Sequence, residues 1–148
     1  MLLLSRLFLL SLLLITSCGY QVSVSAPWGK QGSGSIPFHK DSQTAMLDSA
    51  LQQGKPVFMD FYTNWCGPCK ILDREVLTNQ RVVQKFSRKF INLKINAEQG
   101  DGPALAQKYS VKAYPTLILL DAKGQEQKRI VGICNASSLL RAAGAVHR

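Results

Sequence analysis

The pattern of apolar and polar positions divides the chain into three parts. Leu2–Ile15 is almost wholly apolar, interrupted by two serines and one arginine. Residues 19–36 follow no sustained period and end in a Gly/Ser-rich stretch, which is typical of a linker. From about Phe38 onward, apolar segments with helical or strand spacing alternate with capping and turn residues. The pattern predicts one folded domain at 38–148, preceded by a flexible tether at 18–37.

The apolar segment at the start predicts a cleaved leader. It is shorter than the roughly 20 apolar residues that a membrane-spanning helix needs. A basic start ending at Arg6, an apolar stretch and then small residues are typical of a signal peptide. The sequence Ile15-Thr16-Ser17-Cys18 resembles the lipobox of bacterial lipoproteins, which implies cleavage of residues 1–17 and a lipid on Cys18. Ordinary cleavage after Ala26 is the alternative, and both interpretations predict export.

The domain shows the alternation of helices and strands that builds an α/β sheet. Apolar spacing and β-branched runs, with N-cap candidates at Asp41 or Ser42, at Asn79 and at Asn135, predict helices at 43–53, 68–77, after Asn79, at 103–109 and at 136–143. The same reasoning predicts strands at 57–62, 90–96, 116–120 and 127–133, the last two joined by a hairpin turn. We therefore expect a central mixed β-sheet with helices on both faces.

Composition limits the class of protein more than it identifies a function. The 148 residues are 46% apolar and 18% charged, which suits one domain with a core and excludes wholesale disorder. The formal net charge is +9. Four of the cations, Arg81, Lys85, Arg88 and Lys89, follow the polar face of a predicted amphipathic helix. Because the chain is expected to be exported and has no nucleic-acid motif, we expect weak attraction to an anionic membrane or an acidic partner and no nucleic-acid binding.

The chemistry is predicted at a Cys-x-x-Cys pair, in the string Trp65-Cys66-Gly67-Pro68-Cys69-Lys70. The pair lies where a predicted strand leads into a helix. Unpaired amides and the dipole at a helix N-terminus stabilise a thiolate, so Cys66 is predicted to be the nucleophile. Cys69 lies within disulfide reach and can resolve a mixed disulfide on Cys66. The sequence therefore predicts a redox-active Cys66–Cys69 disulfide.

These residues resemble the thioredoxin superfamily over about 38–146. The string from Trp65 to Lys70 matches the thioredoxin active site residue for residue. Export and the segments 54–57 and 71–90 are more similar to a subset that includes the C-terminal periplasmic domain of the membrane thiol:disulfide interchange reductase. The resemblance implies a thioredoxin fold. It also implies that Asp60 is a buried acid and that Lys94 is its partner. Tyr114-Pro115-Thr116 corresponds to a cis-proline loop, and Val131-Gly132 to a glycine-containing strand end.

The resemblance further implies roles for these residues. Burial would raise the pKa of Asp60 and Lys94 would lower it, and Asp60 would accept the Cys69 proton through water. A cis Pro115 would leave neighbouring backbone groups free to pair with an extended substrate, and Trp65 would cover the dithiol. The remaining residues assigned to substrate binding are Gly67, Pro68, Tyr114 and Thr116. A solvent-facing Asp60 and a trans Pro115 are the alternatives.

The other candidate chemistry is weaker. Zinc needs four ligands, usually from two Cys pairs, and no second pair is suitably spaced, so we expect no metal and no cofactor. Cys134 is expected to be a small buried apolar residue, with a regulatory or intermolecular disulfide as the alternative. His39 and His147 receive no role.

Together these features predict an exported thiol:disulfide oxidoreductase, anchored by lipid in the periplasm or cell envelope. The Gly-Pro pair between the cysteines is that of thioredoxin and favours a reductase. Its expected partners are protein disulfide substrates, a membrane thiol transporter that supplies electrons, and the membrane itself through Cys18. A monomer is expected. The alternatives are an oxidase or isomerase, or a thioredoxin-fold binding module whose dithiol stays idle.

Overall fold

The computed structural model describes residues 34–39 and 42–147. The predicted signal peptide and Cys18 lie outside the described residues. The helices and strands are α1 (Gln43–Gln52), β1 (Val57–Tyr62), α2 (Gly67–Glu75), α3 (Gln80–Lys89), β2 (Ile91–Asn96), α4 (Gly102–Lys108), β3 (Thr116–Leu120), β4 (Glu126–Val131) and α5 (Ala136–Gly144). Each predicted element is present, and every predicted end lies within two residues of the observed one.

The four strands form one mixed sheet in the order β2-β1-β3-β4. β1 and β2 are parallel, whereas β3 is antiparallel to both β1 and β4. The central strands β1 and β3 are buried almost throughout, which explains why they are continuous apolar runs rather than alternating ones. β4 lies at one edge and alternates between exposed and half-buried positions.

Helices cover both faces of the sheet, which confirms the α/β class. On one face α2, α3 and α5 pack around Phe58, Phe86 and Leu139. On the other face α1 and α4 pack around Met59 and Ile118. Because successive side chains of a strand point to opposite faces, Asp60 of β1 lies on the same face as Phe58, beneath α2.

Three helices begin at side-chain caps that the sequence indicated. Ser42 accepts a hydrogen bond from the backbone N–H of Ala45 at the start of α1. The Asn79 side chain accepts from two N–H groups of α3, and Asn135 Oδ1 accepts from the N–H of Ser138 in α5 at 2.8 Å. Such caps satisfy backbone donors that have no partner within the helix.

The described part of the N-terminal segment packs on the domain. Ile36 is 2% exposed and belongs to the core beneath α3. Its N–H donates to the Leu77 carbonyl at 3.1 Å, and the His39 N–H donates to the Asn92 carbonyl at 3.1 Å. His39 also forms a parallel bridge with Leu93, so residues 34–39 run alongside β2 in the same direction. Ile36, which the sequence placed in the tether, is thus a core residue.

Candidate active site

The dithiol lies where β1 leads into α2. Cys66 is the N-cap of α2, and its Sγ accepts a hydrogen bond from the Cys69 N–H at 3.1 Å. The two cysteines form a disulfide with a Cα–Cα distance of 5.3 Å, and each is 2% exposed. Pro68 occupies the first turn, where its missing N–H removes no helical hydrogen bond. After reduction, the amide and the helix dipole would stabilise a thiolate on Cys66.

A cluster of three ionisable side chains connects the sheet to α2, the helix that begins at the dithiol. Asp60 and Lys94 face each other in the register of β1 and β2, and Lys94 Nζ lies 2.7 Å from Asp60 Oδ2. Lys94 Nζ also forms an ion pair with Asp73 of α2. The rings of Phe38 and Tyr62 lie 5.3 Å and 4.9 Å from the ammonium group. The lysine therefore joins a carboxyl group of the sheet to one of the active-site helix.

The surroundings of Asp60 make its carboxylate a stronger base than an exposed one. Burial raises the pKa of its carboxyl, and this outweighs the attraction of Lys94, which lowers that pKa. Asp60 is fully buried, and its Oδ1 atom has no hydrogen-bond partner within the described part of the chain. An unpartnered buried oxygen makes the ionised state costly and leaves room for a proton.

Lys94 keeps its positive charge although it is partly buried. Burial lowers the pKa of its ammonium group, but Asp60 and Asp73 together raise that pKa above the ordinary value. A charged lysine beside a buried carboxyl with a raised pKa is an arrangement that can hold and release a proton beneath the active-site helix.

The residues assigned to substrate binding surround the dithiol. Trp65 is 68% exposed and contacts the Tyr114 ring edge-to-face at 6.1 Å. The Tyr114–Pro115 peptide bond is cis, and β3 begins beside the end of β1, since Phe61 pairs with Thr116. The structure therefore brings the cis-proline loop to the strand end that carries the cysteines. Gly67 and Pro68 are exposed at the same helix start.

The cis-proline loop is held in place by hydrogen bonds on both sides. The Gly132 N–H donates to the Pro115 carbonyl at 2.8 Å, and Thr116 Oγ1 donates to the Ala113 carbonyl at 2.7 Å. Two apolar side chains next to Gly132 are half exposed, Val131 at 58% and Ile133 at 50%. Exposed apolar side chains beside a reactive group are typical of a binding surface.

Sequence reasoning missed two polar residues of this region. Asp73 lies four residues after Cys69, so both project from one side of α2, and this helical spacing was the available signal. Glu98 accepts a hydrogen bond from the Trp65 indole N–H at 2.9 Å. It lies in the loop after β2, and nothing in the sequence marked it.

Cys134 lies apart from the disulfide. It is half-buried and lines a groove between α2 and α5. Burial raises the pKa of its thiol, and the charge of Asp60 acts in the same direction. A thiol that resists ionisation is a poor nucleophile, so this environment suits the expected inert, apolar role.

Comparison with known proteins identifies the family. The thioredoxin-like domain family matches residues 43–147. The chain is 34% identical over 104 residues to the chloroplastic M-type thioredoxin of Brassica napus, covering 70% of this chain and 54% of that protein. It is 33% identical over 110 residues to the thiol:disulfide interchange protein DsbD of Tatumella citrea, covering 71% of this chain and 19% of that protein. The chain thus spans about half the length of this thioredoxin and about a fifth of the length of this DsbD.

A solved structure supports the same assignment. A candidate disulphide-isomerase from Bacteroides thetaiotaomicron is 39% identical and superposes with a TM-score of 0.63, over 74% of this chain and 91% of that one. The C-terminal domain of Neisseria meningitidis DsbD, at 24% identity and a TM-score of 0.57, shares the fold over 72% of this chain and 94% of that one. The chain therefore belongs to the thioredoxin-like family of the thioredoxin superfamily, whose thioredoxin and thiol:disulfide interchange members are protein-disulfide oxidoreductases.

Proposed function

We propose that the chain is an exported thiol:disulfide oxidoreductase that reduces protein disulfides in the cell envelope. The observation that carries the proposal is the Cys66–Cys69 disulfide at the start of α2, with the buried Asp60–Lys94 pair behind it. A helix N-terminus supplies a reactive thiolate, and a buried carboxyl supplies a proton acceptor. A binding module with an idle dithiol would need neither.

The proposed reaction transfers two electrons in two steps. The Cys66 thiolate attacks one sulfur of the substrate disulfide, which forms a mixed disulfide and releases the first substrate thiolate. Asp60 then accepts the Cys69 proton through water. The Cys69 thiolate attacks Cys66 Sγ, releases the second substrate thiolate and leaves the Cys66–Cys69 disulfide present in the structure. The substrate is reduced and the enzyme is oxidised.

The surface around the dithiol supports an extended polypeptide as the substrate. Trp65, Tyr114 and the exposed side chains of Val131 and Ile133 provide apolar contacts on either side of the cysteines. The cis Tyr114–Pro115 bond presents backbone at the edge of the same site. We assign Trp65, Gly67, Pro68, Tyr114, Pro115 and Thr116 to substrate binding.

Location and electron supply are further parts of the proposal. The apolar leader, the lipobox-like sequence before Cys18 and the similarity to thiol:disulfide interchange proteins support a lipid-anchored protein of the periplasm or envelope. Electrons would then come from a membrane thiol transporter. Within the described residues, no helix is long and apolar enough to cross a bilayer.

The first experiment tests the catalytic role of Cys66. Reduction of insulin disulfides by dithiothreitol is measured with wild type, with Cys66→Ser and with Cys134→Ser as the matched control. Cys66→Ser should fall to the uncatalysed rate because the nucleophile is lost, whereas Cys134→Ser should keep wild-type activity. Equal rates for wild type and Cys66→Ser would refute the assignment.

The second experiment tests the order of the two steps and the direction of electron flow. In cells, a Cys69→Ser variant should accumulate mixed disulfides with envelope proteins through Cys66, and the Cys66→Ser/Cys69→Ser variant should accumulate none. Alkylation of thiols in intact cells then gives the redox state of the wild-type pair. A mostly reduced pair supports a reductase, and a fully oxidised pair would show an oxidase instead.

A further inference from the structure

One face of α3 carries three cations without acidic partners. Arg81, Lys85 and Arg88 are spaced by four and three residues, so they share one side of the helix, and all three are exposed. The opposite side of α3 buries Val82 and Phe86. The helix contains no acidic residue, and the ion pairs of the described residues involve other cations, namely Arg74, Lys94 and Arg129. We call Arg81, Lys85 and Arg88 the basic face.

The C-terminal end of α3 lies at the opposite end of the sheet from the dithiol. β1 ends at Tyr62, next to the active site, and β2 runs parallel to it. β2 starts directly after α3, and its first N–H, on Ile91, donates to the carbonyl of Pro56 before β1. Lys89 Nζ, at the last residue of α3, donates to the Ala143 and Val146 carbonyls at the end of α5. Helix α3 therefore ends at the side of the domain opposite the dithiol.

The chain that precedes the domain joins it near the start of α3, because the Ile36 N–H donates to the Leu77 carbonyl just before the Asn79 cap. Ile36 packs in the same core cluster as Val82 and Phe86 of α3. Residues 34–39 run parallel to β2, so the Gly34 end points away from the dithiol. Sixteen residues, Cys18 to residue 33, connect the predicted anchor to this point and span at most about 55 Å. That length allows α3 to touch the surface of the bilayer.

We propose that the basic face binds an anionic lipid surface and thereby holds the domain against the bilayer. Binding of the domain without lipid to vesicles depends on these charges, whereas attachment in the cell also rests on the proposed anchor at Cys18. Each lysine or arginine near an anionic membrane surface strengthens binding about five-fold, so the three together account for about a hundred-fold. An anionic lipid is favoured over an acidic protein because the chain that leads to the predicted anchor joins the domain near the start of the same helix, within reach of a bilayer.

The test uses residues 18–148 with Cys18→Ser, so that no lipid is attached. Binding is measured by sedimentation with vesicles of phosphatidylcholine alone and of phosphatidylcholine mixed with phosphatidylglycerol. The variant R81Q/K85Q/R88Q should bind the mixed vesicles about a hundred-fold more weakly than the unchanged chain. The control K108Q/K112Q/K123Q removes the same charge from exposed positions outside α3 and should keep most of the binding. Added salt should weaken binding of the unchanged chain.

Two outcomes would overturn the proposal. Equal loss in both triple variants would show an effect of net charge rather than of this face. Equal binding to both kinds of vesicle, or none to either, would exclude an anionic lipid surface and leave an acidic protein as the alternative. Insulin reduction by the same variants separates this result from the proposed function. The rate of insulin reduction should be the same in both triple variants as in the unchanged chain. If the unchanged chain does not reduce insulin, the proposed redox function is refuted while the vesicle result stands.

Discussion

The proposed role of Asp60 in proton transfer conflicts with the stability of the folded protein. The carboxyl is fully buried, one oxygen is paired with Lys94, and the other has no partner within the described residues. A stable core would favour an uncharged side chain at this position. The proposed reaction instead needs a group that takes up the Cys69 proton at neutral pH. Placing Asp60 on the α2 side of β1 brings that group towards the helix that carries Cys69.

Replacing Asp60 by Asn should stabilise the protein. Burial raises the carboxyl pKa above its usual value of 3.8, so the folded state binds a proton that the unfolded state has released. Stability therefore falls as pH rises from the unfolded pKa through the raised folded pKa and is level above it. Asp60→Asn should remove this decline and raise stability at neutral pH, because the amide does not ionise and Asp73 still pairs with Lys94. Urea unfolding of the oxidised protein at a series of pH values measures both effects.

The matched control for this prediction is Asp48→Asn, which removes the same charge from an exposed position of α1. It should leave the pH profile of wild type unchanged. An Asp60→Asn profile that falls with pH as much as the wild-type profile would contradict the raised pKa of Asp60.

At the scale of elements, the start of α4 depends on a glycine. A Cβ atom on Gly102 would lie 1.7 Å from the carbonyl oxygen of Asn96, at the end of β2. Gly102 is buried and its N–H donates to the Gln99 carbonyl at 2.9 Å. No side chain fits between the strand end and the helix without moving the backbone.

Gly102→Ala should therefore destabilise the fold by at least about 2 kcal/mol, because the strand end or α4 must shift. Gly144→Ala, in the last turn of α5, is the matched control, since a Cβ there meets no atom within 4 Å. Alanine favours helix over glycine, so the control should be neutral or slightly stabilising. Urea midpoints of the two variants give the comparison, and equal midpoints would contradict the close approach.

The elements themselves were predictable because local signals and the fold agree. β1 and β3 are apolar runs that the sheet buries on both faces, and the predicted caps Ser42, Asn79 and Asn135 each bind the helix that follows. The end of β4 was predicted at residue 133 but lies at Val131, because Gly132 adopts a φ of 85° and turns the chain out of the sheet.

What the sequence did not reveal depends on contacts between distant segments. The spacing of Asp73 from Cys69 indicates a helix face, but its pairing with Lys94 needs β2 to lie beneath α2. The contact of Glu98 with Trp65 likewise needs the loop after β2 to reach the active site. The packing of Ile36 beneath α3 has no local signal, because its flanking residues are those of a linker.

At the scale of the whole molecule, chemistry and attachment are assigned to different ends. The dithiol lies at the C-terminal end of β1, whereas the N-terminal segment runs alongside β2 with Gly34 directed towards the other end of the sheet. With the proposed lipid anchor at Cys18, such a domain can present its cysteines to proteins in the surrounding space while the anchor stays in a membrane.

Lipid attachment at Cys18 gives a direct prediction. Cys18→Ala should abolish labelling by fatty acid and move the protein from the membrane fraction to the soluble fraction, because several acyl chains supply the membrane affinity. Cys134→Ala, a change of the same kind within the domain, should leave both measurements as in wild type. Labelling that persists in Cys18→Ala would contradict the lipobox interpretation and favour ordinary cleavage.

The edge strand β4 affects how readily copies of the protein aggregate. It pairs with β3 on one side only, and its exposed side chains include Glu126, Lys128 and Arg129. Unpaired strand edges are templates for joining a second sheet, and charged side chains along an edge oppose such joining. Anchored proteins are crowded into two dimensions, where accidental edge-to-edge stacking would start aggregates. If the chain is anchored as proposed, the charges of β4 protect neighbouring copies from assembling through their sheets.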